Sequence, residues 1–140
     1  MCKRTSVFGA IGFFVSAMVF GNACAQPIPT TPQIRRIALK SGETTELGTV
    51  YWTSNCRSTM IGTPEVEILD GPPELTLTIR PGMVVPRANG CTNQVSGGTL
   101  IAAAKDVQAT KTARLVYRVK YRTRDGDRQS ANTYSVELFP

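Results

Sequence analysis

Alternation of apolar and polar residues at a period of two runs through most of this 140-residue chain, and it limits the chain to a β fold. Val66 and Ile68 alternate with Glu65 and Glu67, and Leu75, Leu77 and Ile79 with Thr76 and Thr78. Tyr117, Val119 and Tyr121 alternate with Arg118, Lys120 and Arg122, and Tyr134, Val136 and Leu138 with Ser135 and Glu137. On a strand, successive side chains point to opposite faces, so each run has one face for a core and one for solvent. Turn signals fall between the runs: Ser41-Gly42, Gly62-Thr63-Pro64, Asp70-Gly71-Pro72-Pro73, Arg80-Pro81-Gly82, Asn89-Gly90, Gly97-Gly98 and Asp125-Gly126. A spacing of about ten residues between turns is that of a sandwich or small barrel.

The pattern predicts strands near 34–39, 45–53, 65–69, 74–80, 83–87, 99–104, 113–124 and 129–138. Leu100 to Ala109 is the one stretch where an Ala-rich composition favours a helical turn. No amphipathic period is sustained there, so strand plus loop is expected. Asp125-Gly126, between two long alternating segments, predicts a closing β-hairpin with a type I′ or related turn.

The N-terminus carries a different signal. Lys3 and Arg4 precede an apolar run from Val7 to Phe20, and Ala23-Cys24-Ala25 supplies small residues for cleavage. Residues 1–25 thus predict a secretory signal peptide, with Gln26 the mature N-terminus and a periplasmic or secreted location. The run of 14 residues is short of the roughly 20 that span a bilayer, and no second apolar stretch is long enough. Acylation at Cys24, which would make a lipoprotein, is the minor alternative. Gly21 stands where such signals carry a large aliphatic residue. Residues 26–32 form a Pro/Thr-rich leader, leaving 33–140 as one domain of ordinary size.

Cleavage removes Cys2 and Cys24, so Cys56 and Cys91 remain as an even pair in an oxidising compartment, and a disulfide is predicted. The chain has no His, so neither cysteine has the usual partner of a nucleophile, and two distant thiols do not make a zinc site. Trp52, four residues before Cys56, is expected to pack in the core beside the disulfide.

Residues 63–139 resemble bacterial immunoglobulin-like or cadherin-like extracellular modules. The resemblance rests on Thr63-Pro64-Glu65-Val66-Glu67-Ile68, Gly71-Pro72-Pro73, Leu75-Thr76-Leu77, Leu115-Val116-Tyr117-Arg118-Val119-Lys120-Tyr121, Asp125-Gly126 and Tyr134-Ser135-Val136-Glu137-Leu138. It implies a single antiparallel immunoglobulin-like β-sandwich of about seven or eight strands, used for contact. The chain lacks an acidic linker motif resembling that of calcium-binding cadherin modules, and the resemblance carries over no site residue.

Without His, Ser-His-Asp and Cys-His catalysis are excluded; Gly-x-Ser-x-Gly, Ser-x-x-Lys, the phosphate loop and the dinucleotide fingerprint are absent too. Glu65 and Glu67 would share a strand face about 7 Å apart, within the range of glycosidase carboxylates. Their alternation with Val66 and Ile68 is also that of an ordinary solvent face. Asp125 and Asp127 flank Gly126 in a turn, where Asp is locally favoured, and the 12-residue calcium loop is absent. No cofactor or metal is expected, and no enzyme.

Charge singles out the last hairpin. The chain is +6 in all, and loss of Lys3 and Arg4 leaves +4. Residues 114–128 alone supply that +4, through Arg114, Arg118, Lys120, Arg122, Arg124 and Arg128 against Asp125 and Asp127. Arg114, Arg118, Lys120, Arg122 and Arg124 share parity, so they form one cationic stripe, with Arg128 at the turn. Such a stripe either guards an exposed strand against aggregation or attracts an anionic envelope polymer or an acidic protein partner. Nucleic acid is disfavoured by compartment. The expectation is a non-enzymatic binding or structural module of the cell envelope. The alternative is a partner or inhibitor of an envelope enzyme, acting through the disulfide-braced loop Pro86 to Gly98.

Overall fold

Alternation in sequence becomes alternation in burial. A computed structural model describes residues 34–87 and 90–140, so the expected signal peptide, the leader and Cys24 lie outside the described residues. Nine strands are described: β1 Arg35–Lys40, β2 Thr44–Val50, β3 Thr53–Ser54, β4 Arg57–Ser58, β5 Glu65–Asp70, β6 Leu75–Val84, β7 Val95–Ala104, β8 Lys111–Thr123 and β9 Gly126–Phe139. Among the described residues no helix is long and apolar enough to cross a membrane.

β1, β9, β8 and β5 form one sheet in that order, and β2, β7 and β6 a second. All pairings are antiparallel except β1 with β9. β6–β7 and β8–β9 are hairpins within a sheet, and the connections into β2, β5, β6 and β8 cross between sheets. This is the connectivity of an immunoglobulin-like β-sandwich whose first strand lies beside its last. Leu39, Leu115, Val119, Val136 and Leu138 from the four-stranded sheet, and Leu47, Leu75, Leu100, Ala102 and Ala104 from the three-stranded one, join in a single buried cluster. Two inner faces closing on each other remove apolar area from water, the main driving force of a sandwich.

The structure corrects the expected boundaries in four places. The two strands expected at 74–80 and 83–87 are one, β6, running through Arg80-Pro81-Gly82 without a turn. β6 is an edge strand, where a residue without an N–H is tolerated. Gly97-Gly98, expected as a turn, lies inside β7 opposite it, with Pro81 paired to Gly98 and Gly82 to Gly97. The β3–β4 hairpin was not expected. Its two turn residues, Asn55 and Cys56, have φ of 50° and 59°, the signature of a type I′ turn. The expected closing hairpin is present, but its turn residues are Arg124 and Asp125, followed by Gly126 at φ 103°. Thr123 pairs with Gly126, and the Thr123 hydroxyl donates to the Gly126 carbonyl at 2.6 Å.

The Cys56–Cys91 disulfide is present, with an S–S distance of 2.03 Å. It joins two connections, the β3–β4 turn and the segment between β6 and β7. Trp52 packs against the core as expected, half-buried, with its ring on that of the core residue Tyr121 at a centroid distance of 5.3 Å.

Candidate functional site: the loop end of the sandwich

Three connections meet at one end of the sandwich: residues 51–64 between β2 and β5, residues 85–94 between β6 and β7, and the β8–β9 turn. Backbone hydrogen bonds brace it. Ile61 N–H donates to Arg122 O at 2.8 Å, Arg124 N–H to Thr59 O at 3.1 Å, and Met60 bridges to Thr123. The disulfide ties the β3–β4 turn to the 85–94 segment, and the Ser58 hydroxyl donates to Ser96 O at 3.2 Å. The loop expected to span 86–98 is shorter, because residues 95–98 already belong to β7.

The expected cationic stripe divides into two parts. Parity is as expected: Leu115, Tyr117, Val119 and Tyr121 are buried, whereas Arg114, Lys120 and Arg122 are exposed and Arg118 is half-exposed. Register then sets Glu67 of β5 opposite Arg118 and Glu65 opposite Lys120. Arg118 Nε donates to Glu67 Oε2 at 2.9 Å, and Lys120 Nζ reaches the same oxygen at 2.8 Å. Arg114 pairs with Asp70 at 3.3 Å, beyond the β-bulge of β5. These three cations therefore face carboxylates on the neighbouring strand. Hydrogen bonds from Arg118 and then Lys120 hold the Glu67 carboxyl down at about 2, against an ordinary 4.5.

The remaining cations gather at the loop end. Arg122, Arg124 and Arg128 are exposed there, and the fold adds Arg57 beside the disulfide and Arg87 in the 85–94 segment. Among the described residues none of these five is in an ion pair. Glu65, Asp125 and Asp127 are the acidic residues of this end, so positive charge prevails. A cleft of about 530 Å³ lies at its edge, lined by Ile61, Glu65, Lys120, Arg122, Asp127 and Arg128 among others. Five unpaired guanidiniums on a braced scaffold can grip carboxylate, phosphate or sulfate groups through planar, bidentate hydrogen bonds.

The charge pattern of the sequence did not single out Arg57 or Arg87. A signal was nonetheless there: Arg57 adjoins Cys56 and Arg87 lies four residues before Cys91, so the expected disulfide already carries both to one place. Glu65 and Glu67, weighed as a carboxylate pair, face Lys120 and Arg118 across the strand pair. Among the described residues no group of three or more His, Cys, Asp and Glu side chains is placed to hold a metal ion. Comparison with protein-family models and with curated proteins finds no match for this chain.

Proposed function

We propose that this chain is an exported, non-enzymatic β-sandwich module that binds an anionic partner at its loop end. The reading joins the sequence of residues 1–25, which has the charge, apolar and cleavage features of a signal peptide, to the charge of that end. One observation carries it: the stripe cations in mid-sheet are neutralised by β5, whereas Arg57, Arg87, Arg122, Arg124 and Arg128 stand exposed and unpaired together. Solubility and edge protection need scattered cations, not a cluster on a disulfide-braced loop end. The partner is an anionic envelope polymer or the acidic face of a protein.

Competition for immobilised heparin at low ionic strength tests the site. Arg122→Glu/Arg124→Glu should weaken retention about tenfold or more, because each change replaces an attraction with a repulsion. Arg114→Glu, which alters charge equally per residue but lies beside Asp70, should have a small effect. Equal loss per charge reversed from both variants would mean that net charge alone governs retention, and the assignment to the loop end would fail.

A further inference from the structure

A second cleft opens on the flank of the sandwich. β1 covers β9 only from Tyr134 to Phe139, so β9 from Gly126 to Thr133 has a strand partner on one side only, β8. Between that uncovered stretch and β2 lies a cleft of about 760 Å³. Its size is that of a small-ligand site rather than of a packing defect.

The lining combines three kinds of group. Trp52 and Tyr51 are half-buried along one wall, and the Trp52 ring packs on Tyr121. Tyr117 and Tyr134 form part of the floor, with ring centroids 5.9 Å apart. Hydrogen-bonding groups line the β9 side: Asn132 is exposed, and the Ser130 hydroxyl lies 3.3 Å from the Tyr121 hydroxyl. Two guanidiniums stand on the rim. Arg35 donates to the Tyr134 hydroxyl at 3.4 Å, which in turn donates to Leu47 O at 3.3 Å. Arg87 stands near Trp52 and Tyr51, and its backbone N–H donates to the Tyr51 hydroxyl at 3.1 Å.

Charge decides what such a cleft would take. The one carboxylate on its lining, Glu46, is held by Arg80 at 2.6 Å, while neither Arg35 nor Arg87 is in an ion pair among the described residues. The uncompensated charge on the lining is thus positive. Half-buried aromatic rings offer faces for C–H groups, and hydroxyls, an amide and guanidiniums answer hydroxyls and carboxylates. A ligand presenting apolar C–H faces, many hydroxyls and a carboxylate meets all three at once. We infer that this flank cleft binds an acidic oligosaccharide, with Trp52 against a sugar ring, Ser130 and Asn132 on its hydroxyls, and Arg35 and Arg87 on its carboxylates. The inference goes beyond the proposed function and stands without Arg122 and Arg124: Arg35 belongs to the cleft alone, whereas Arg87 is shared with the loop end.

Trp52 is the only tryptophan of the chain, so its emission reports on the cleft directly. The full-length oxidised protein is titrated with trigalacturonate and, separately, with maltotriose and triglutamate, following emission and heat. A saturable emission change and heat with trigalacturonate, absent with the neutral sugar and the acidic peptide, are expected. Arg35→Gln/Arg87→Gln should weaken trigalacturonate at least about tenfold, and Arg114→Glu should leave it unchanged. No saturable response, an equal response to maltotriose or to triglutamate, or full affinity in Arg35→Gln/Arg87→Gln would overturn the inference. Heparin competition by Arg122→Glu/Arg124→Glu is read separately, so either site can fail without the other.

Discussion

Glu67 faces Arg118 across the β5–β8 pair, and the carboxylate oxygen that accepts from the Arg118 guanidinium at 2.9 Å is also 2.8 Å from Lys120 Nζ. One carboxylate thus quiets two cations of the stripe, and the sheet hands the free charge to the loop end.

Stability should follow the titration of that carboxyl. Its value is depressed from 4.5 to about 2 in the folded protein, first through Arg118 and then Lys120. A depressed carboxyl contributes stability that is present above pH 4.5 and is lost as pH falls toward about 2. Glu67→Gln should flatten the pH dependence of the urea midpoint in that window and leave its shape above it unchanged. The same variant frees Arg118 and Lys120, so heparin retention should rise.

Gly97 permits the close approach of two strands. A Cβ there would press into the Val50 carbonyl oxygen and come within 2.7 Å of Val84 Cγ2. Backbone cannot yield as a flexible side-chain end can, so Gly97→Ala should lower unfolding free energy by about 3 kcal/mol in urea titrations. Gly126→Ala, in open space but at φ 103°, should cost less, about 1 kcal/mol.

The disulfide closes a separation of 35 residues, for which the loop-entropy relation gives about 4 kcal/mol. Cys56→Ala/Cys91→Ala should lose that amount in chemical denaturation. Heparin retention should fall only in part, because Arg57 and Arg87 lose their brace while Arg122 and Arg124 stay on the β8–β9 hairpin. Complete loss of binding with the fold intact would favour recognition through the 85–94 segment instead.

Much of this architecture was legible in the residues, and the failures share one cause. Alternation in Leu115 to Thr123 and Tyr134 to Leu138 located the two longest strands and the faces of their side chains. Arg80-Pro81-Gly82 and Gly97-Gly98 each look like a turn alone. They form no turn because they lie opposite each other in the β6–β7 ladder, with Pro81 on an edge strand and Gly97 and Gly98 where side chains would collide. The stripe was legible as parity, but its neutralisation depends on the register that sets Glu67 beside Arg118, which no local pattern contains. Arg57 and Arg87 join the site only through the fold's ends and the disulfide, and the flank cleft only through the short reach of β1 along β9.

The affinity of the full-length oxidised protein for soluble heparin, measured by calorimetry across a salt series, tests the central claim most directly. Exposed guanidiniums in contact with a polyanion are screened by salt, so affinity should fall steeply as salt rises. Arg122→Glu/Arg124→Glu should make that dependence shallower, while Arg114→Glu preserves it. An affinity indifferent to salt, or a slope that Arg122→Glu/Arg124→Glu leaves untouched, would contradict the assignment of binding to the loop end.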